Sequence, residues 1–173
     1  MSRLNYTEDE DFTGQFALWQ ANCRRSLKGK AGQAALRRLE AALVAMPEKR
    51  IIKGKLVNSE ADVCAIGALA RAEGKLPEPE HFTDDDEDDL DDTAEFAADN
   101  LNVPRLVAWK VVEMNDITFD TVWEMGHGPI ERHSAVYRGP DGTGYGIALI
   151  RDMTPEERYT KMLTWVRANL LGK

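Results

Sequence analysis

Chemistry in this chain would have to start from two cysteines and three histidines. Cys64 heads the stretch "DVCAIGALA" at 62–70, and a thiol at the start of a helix is one whose pKa is lowered toward the reactive thiolate. A thiolate needs a base and an orienter. His133, presented by "HSAVYR", and Asp141 form the candidate set, with His127, His81 and Asp116 as further candidates. The competing reading is packing, because Val63, Ile66 and Leu69 flank the cysteine and free cysteine is among the residues most often buried. Packing needs no coincidence of distant residues, so no catalytic residue is assigned. A cysteine-dependent hydrolase using Cys64 and His133 stands as the alternative.

The same side chains make a poor metal site. Structural zinc takes ligands in close pairs, whereas Cys23 and Cys64 lie far apart and "HGPIERH" is wider than a usual histidine pair. The glycine-rich "GPDGTGYG" lacks the Gly-Lys-Ser/Thr ending of a phosphate loop and reads as a turn. No cofactor or metal is expected. "FAADNLNVPRLVAWKVV" has the rhythm of a helix-turn-helix, but the second helix offers only Arg105 and Lys110 to a phosphate backbone. A helical hairpin of the core is the better reading, and direct nucleic-acid binding is not expected.

Charge supplies the stronger signal. Asp84, Asp85, Asp86, Glu87, Asp88, Asp89, Asp91 and Asp92 place eight acids in nine positions. A run of this kind repels itself and stays solvated, and it lacks the alternating ligands and central glycine of a calcium loop. Closely spaced carboxylates can also imitate a phosphate track and occupy a basic site on a partner. These eight residues are therefore the candidate partner-binding segment, the expected partner being a protein, in particular a basic or nucleic-acid-binding one. The opposite block lies earlier: Cys23–Lys55 holds ten Lys/Arg against two Glu, within a chain of net charge −8. The two blocks either pair within the fold or face solvent separately.

The elements that must carry these residues are mostly helices. At 173 residues and 43% hydrophobic composition the chain is expected to form a single domain, 1–173, with its own core. No apolar run approaches a membrane span and the first residues lack an apolar signal segment, so a cytoplasmic protein with reduced thiols is expected. Phe12, Phe16, Trp19, Cys23 and Leu27 mark the buried stripe of a first helix behind a Thr7–Glu10 capping box. A turn over 28–32 leads to a second helix, carried by Leu36, Leu39, Leu43 and Met46, and the two are read as an antiparallel hairpin. The stretch "KRIIKGKLVNSEADVCAI", with Ile51, Ile52, Leu56 and Val57 around glycine and polar residues, is read as a short strand or hairpin, and the cysteine helix stops at Gly74. An acidic loop, 77–93, passes into the helical "AEFAADNL". A buried helix over "LVAWKVV" follows, and then a β-hairpin insertion within 117–153 built around "GPDGTG". Thr154, Pro155 and Glu157 spell the start of a last helix with Tyr159, Met162, Val166 and Leu170 on one stripe. The small residues Ala65, Gly67, Ala68 and Ala70 leave room for close approach, with "LVAWKVV" as the expected neighbour.

Taken together, "GKAGQAALRRLEAALVAMPEKRIIKGKLVNSEADVCAIGALARAEG", "EMND" and "TPEERYTKMLTWV" resemble a group of small proteins encoded by phages and prophages. In that group a Met-Pro-Glu-Lys-Arg-like turn leads to a Cys-Ala-aliphatic-Gly-Ala segment, an Asn-Asp pair and a Thr-Pro-Glu helix ending in Trp-Val. The resemblance implies a phage or prophage origin and a mainly helical domain, and it supplies no activity. The chain departs from the pattern in its acidic run and between Asp116 and Met153. The sequence thus predicts a mainly α, single-domain helical bundle with one or two small β-hairpins. The expected function is that of a non-enzymatic accessory protein, free of membranes and able to form homo-oligomers, that binds a macromolecule in a bacterial cytoplasm.

Overall fold

The computed structural model describes residues 8–78, 90–116, 135–138, 144–147 and 153–172. The helices are α1 (Glu8–Lys28), α2 (Lys30–Ala45), α3 (Ala65–Ala72), α4 (Leu90–Leu101), α5 (Arg105–Asp116) and α6 (Pro155–Asn169). The described fold is mainly helical. Ala135–Arg138 (β1) and Gly144–Ile147 (β2) pair antiparallel, with Ala135 opposite Ile147. The remainder of the expected 117–153 insertion lies outside the described residues, apart from Met153.

One apolar core joins α2, α3, α4, α5 and α6, and its largest fully buried side chains include Leu36, Leu43, Ile66, Leu101 and Met162. Helix α1 adds Cys23 and Leu27 from its predicted stripe, with Trp19 half-buried, while the side chains of Phe12 and Phe16 lie outside the described ones. Helix α6 buries Tyr159, Met162 and Val166 as its spacing requires, and Leu170 packs at the margin.

Between α1 and α2 the expected five-residue turn shrinks to one residue, Gly29. Gly32 sits inside the first turn of α2, so close to α1 that a Cβ there would fall 2.1 Å from the Ser26 carbonyl oxygen. Glycine at 32 serves close approach rather than a loop.

The stretch 51–57 forms no strand. A single bridge joins Val57 to Val63, and the other backbone groups pair with the segment 62–64 around it or with the start of α6. The Ile51 N–H donates to the Pro155 carbonyl, Ile52 to Val63 and Cys64 to Leu56. Buried backbone groups must be paired somewhere, and here the segment ahead of α3 together with residues of α5 and α6 supplies the partners in place of a regular second strand. The loop is closed by Asn58, whose side-chain oxygen accepts from the Glu60 and Asp62 N–H groups.

The acidic stretch also ends earlier than expected. Helix α4 begins at Leu90, with Asp91 and Asp92 in its first turn, where the partial positive charge of a helix start favours acids. Helices α4 and α5 form the most extensive interhelical contact, and α5 is buried around most of its circumference. Helix α3, by contrast, packs chiefly on α2 and only secondarily on α5. Its closest backbone neighbour is not a helix: a Cβ on Gly67 would stand 2.1 Å from the Leu56 carbonyl oxygen and 2.8 Å from Val63 Cβ.

Candidate functional site

Cys64 occupies the N-cap of α3, and its sulfur accepts the Gly67 N–H at 3.4 Å. It is 4% exposed. The thiol is thus a cap and a small core group, turned to the interior of its own first turn. His133 and Asp141, its candidate partners, lie outside the described residues, as do His81 and His127. Cys23 is also buried, and burial pushes its thiol up from the ordinary value of 9.0 despite the nearby Lys110 ammonium.

The pieces that looked separate in the sequence meet at Asn115. This side chain, 2% exposed, sits near the end of α5. Its oxygen accepts the Ala65 N–H at 3.1 Å, and its amide nitrogen donates to the Ile52 carbonyl at 2.9 Å and to Asp116 Oδ1 at 2.7 Å. Asp116 Oδ1 in turn accepts the Gly54 N–H at 3.0 Å. The Asn115 carbonyl receives the buried Arg158 guanidinium of α6 at 2.5 Å. The "MPEKRIIKG", "CAIGA", "ND" and "TPEER" segments therefore converge on one polar junction inside an apolar core.

Beside that junction lies a cavity of about 250 Å³ between Ile51–Lys53, Met153, Pro155 and Arg158. Its floor is largely aliphatic. Among the described residues no group of three His, Cys, Asp or Glu could hold a metal ion. Asp116, considered above as an orienter for a cysteine–histidine pair, holds the Gly54 backbone instead. The chemistry of the junction is that of a neutral amide and a carbonyl-bound guanidinium, which suits holding segments together. Sequence reasoning singled out the Asn-Asp pair only as a motif. The roles of Asn115 and Arg158 carry no local signal, since their partners lie 43 to 63 residues away.

The helix-turn-helix residues take a different position from the one a DNA reader would need. Arg105 pairs with Glu95 at 3.2 Å and Lys110 with Glu113 at 2.7 Å, and Lys110 also lies 5.8 Å from the Trp19 ring centroid. Both cations of the second helix are thus engaged with neighbours of the same fold.

One cation of the basic block, Arg38, is neutralised from outside the acidic run: its guanidinium pairs with Glu73 at 2.8 Å and donates to the Leu101 carbonyl. Arg50 is held by Glu48 and Asp62, close to its own place in sequence, and this neighbouring negative charge pushes its pKa further up. Arg24, Arg25, Lys28, Lys30 and Arg37 remain exposed around the α1–α2 elbow, and none enters an ion pair among the described residues. Of the acidic segment, Asp84 to Asp89 lie outside the described residues. Asp92 is exposed and shares the outer face of α4 with Glu95 and Asp99, at helical spacing. No helix among the described residues is long and apolar enough to cross a membrane.

A protein-family model described as a family of unknown function (DUF6197) matches residues 30–126. That span takes in α2 to α5, the acidic run, Cys64 and the Asn115–Asp116 pair; α6 with Arg158 falls outside it. No curated protein and no solved structure matches the chain.

Proposed function

The chain belongs to the DUF6197 family of unknown function, whose model spans more than half of it, and from that premise we propose that it works by binding a basic protein partner through its acidic segment rather than by catalysis. The observation that carries this reading is the continuation of negative charge from the run Asp84–Asp92 onto the exposed face of α4, at Asp92 and Asp99, with Glu95 between them paired to Arg105. A helix gives the end of the run a fixed direction, so part of the carboxylate track is presented in order rather than as a diffuse cloud. The partner is a basic protein, in particular one that itself holds nucleic acid. The buried and capping position of Cys64 supports the non-enzymatic side of the reading. An accessory role in a phage or prophage, carried out in the cytoplasm of a bacterial cell, is proposed on the resemblance of the quoted motifs.

The test is affinity capture from a bacterial lysate with the unmodified chain and with a variant in which Asp84, Asp85, Asp86, Asp88, Asp89, Asp91 and Asp92 are replaced by Asn and Glu87 by Gln. A basic partner retained by the first, lost by the second and released by high salt supports the reading, because exposed charge contacts are screened within about 10 Å at 0.1 M salt. Equal retention by both proteins would sink it.

A further inference from the structure

The elbow between α1 and α2 is the counterpart of the acidic run in the same chain. Arg24 and Lys28 stand four residues apart on α1, Arg25 and Lys28 three apart, and Lys30 follows across the single-residue break at Gly29. Arg37 continues the outer face of α2 two turns on, with its guanidinium on the Leu171 carbonyl. The C-terminal segment closes the underside of this surface: buried Gln33 donates to the Leu27 and Asn169 carbonyls and accepts the Leu171 N–H. The cations are therefore mounted on a braced corner.

Part of this charge has an internal explanation. Arg25 and Lys28 lie in the last turn of α1, where cations complement the helix dipole. Lys30 has none, because it stands in the first turn of α2, which contains no acid and whose N-cap offers no side-chain bond. Arg24, Lys30 and Arg37 are likewise outside every described ion pair, although the chain carries an excess of eight negative charges. Among the described residues, no acid is placed against them.

We propose that the Arg24–Arg25–Lys28–Lys30–Arg37 elbow is a docking surface for the acidic segment Asp84–Asp92 of a second copy of this chain. Charge complementarity carries the choice of occupant: the elbow offers five exposed cations with no ion pair among the described residues, and the chain carries a run of eight acids in nine positions. Glu78, six residues before the run, and Asp92, its last residue, are both exposed. A chain that carries both halves can associate by exchanging segments, each copy's run lying on the other's elbow. This inference rests on the reading of the acidic run as a binding segment, and it names one partner for it.

The experiment uses the purified full chain alone, so capture of a foreign partner plays no part in its outcome. Sedimentation at about 0.05 M salt should give a mass approaching twice 19.4 kDa, returning to 19.4 kDa at about 0.5 M, where screening shortens to a few ångströms. An elbow variant (R24A/R25A/K28A/K30A/R37A) and a run variant (acids 84–92 to Asn or Gln) should each be monomeric. Mixing the two should restore a dimer, because each supplies what the other lacks. Circular dichroism checks that both fold. A monomer at every salt concentration, dimers that survive in either single variant, or failure of the mixture to associate overturns the proposal. The first of these results is the one expected if the two segments pair within one molecule.

Discussion

Two helices of this chain start on capping side chains, and the two starts are built from different materials. Helix α6 starts at the surface: Thr154 Oγ1 accepts the Glu157 N–H at 3.3 Å while the Glu157 carboxylate accepts the Thr154 N–H at 2.9 Å. Helix α3 starts in the interior, where Cys64 sulfur takes one N–H and Asn115, fifty residues away, takes another. The first is complete within four residues and would form wherever that helix formed. The second exists only when α5 has been packed against α3, so it reports on the whole fold.

That difference sets the scale of what breaking each start should do. The largest effect is expected from Asn115→Ala, which leaves the Ala65 N–H and the Ile52 carbonyl buried without their partner. Unsatisfied buried groups cost about 1–3 kcal/mol each, so unfolding in urea should show a loss of about 4 kcal/mol. A loss below about 1 kcal/mol would mean that the interior start does not depend on α5. Next comes Gly67→Ala, which drives a methyl group against the Leu56 carbonyl. Backbone cannot rotate away as a side chain can, and overpacking of this kind costs about 3 kcal/mol. If the variant were as stable as the parent, the close seating of α3 would be wrong.

Thr154→Ala probes the surface start. It should cost about 1 kcal/mol, with Thr154→Ser close to neutral. An equal loss in both would remove the capping box from the account. For Cys64, replacement by serine keeps a cap acceptor of similar size, so the expected change is below about 1 kcal/mol. The native thiol should react slowly with iodoacetamide near pH 7, because it is buried and occupied by Gly67. Rapid alkylation would return Cys64 to the nucleophile reading, with His133 and Asp141 as the residues to test beside it.

The smallest effect concerns the second buried thiol, which caps nothing. Burial raises the Cys23 pKa above 9.0 in the folded chain, so as pH climbs past about 9 the unfolded chain loses this proton while the folded chain keeps it. The unfolded state then binds fewer protons and stability falls with rising pH. Cys23→Ala should remove that part of the slope while lowering stability at neutral pH through lost packing. An unchanged slope would assign the alkaline loss to other groups.

Helix positions and stripes were readable because their signals are local. Cys23, Leu27, Leu36, Leu39 and Leu43 recur at helical spacing and all five are buried. Thr154, Pro155 and Glu157 announce their helix in four consecutive residues. The stretch 51–57 misled because β-forming residues without a helical period suggest a ladder, whereas here that backbone makes one bridge and divides its other bonds between the segment ahead of α3 and the neighbouring helices α5 and α6. The neighbour of the small-residue helix was misread for a related reason. Ala65, Gly67, Ala68 and Ala70 state that something comes close, but not which element, and the answer is α2 together with the Leu56 carbonyl.

By itself the sequence determined the helical class, the capped start of α6, the burial of α5 and the division of charge into two blocks. Each follows from periodicity, capping or composition within a short window. Only the tertiary structure decided that the four quoted segments share one junction at Asn115, that Cys64 is an interior cap, and that Arg38 is neutralised by Glu73 while the elbow cations enter no ion pair among the described residues. Hydrogen bonds and ion pairs act over a few ångströms and are indifferent to separation along the chain, so their partners become known only when the helices are in place.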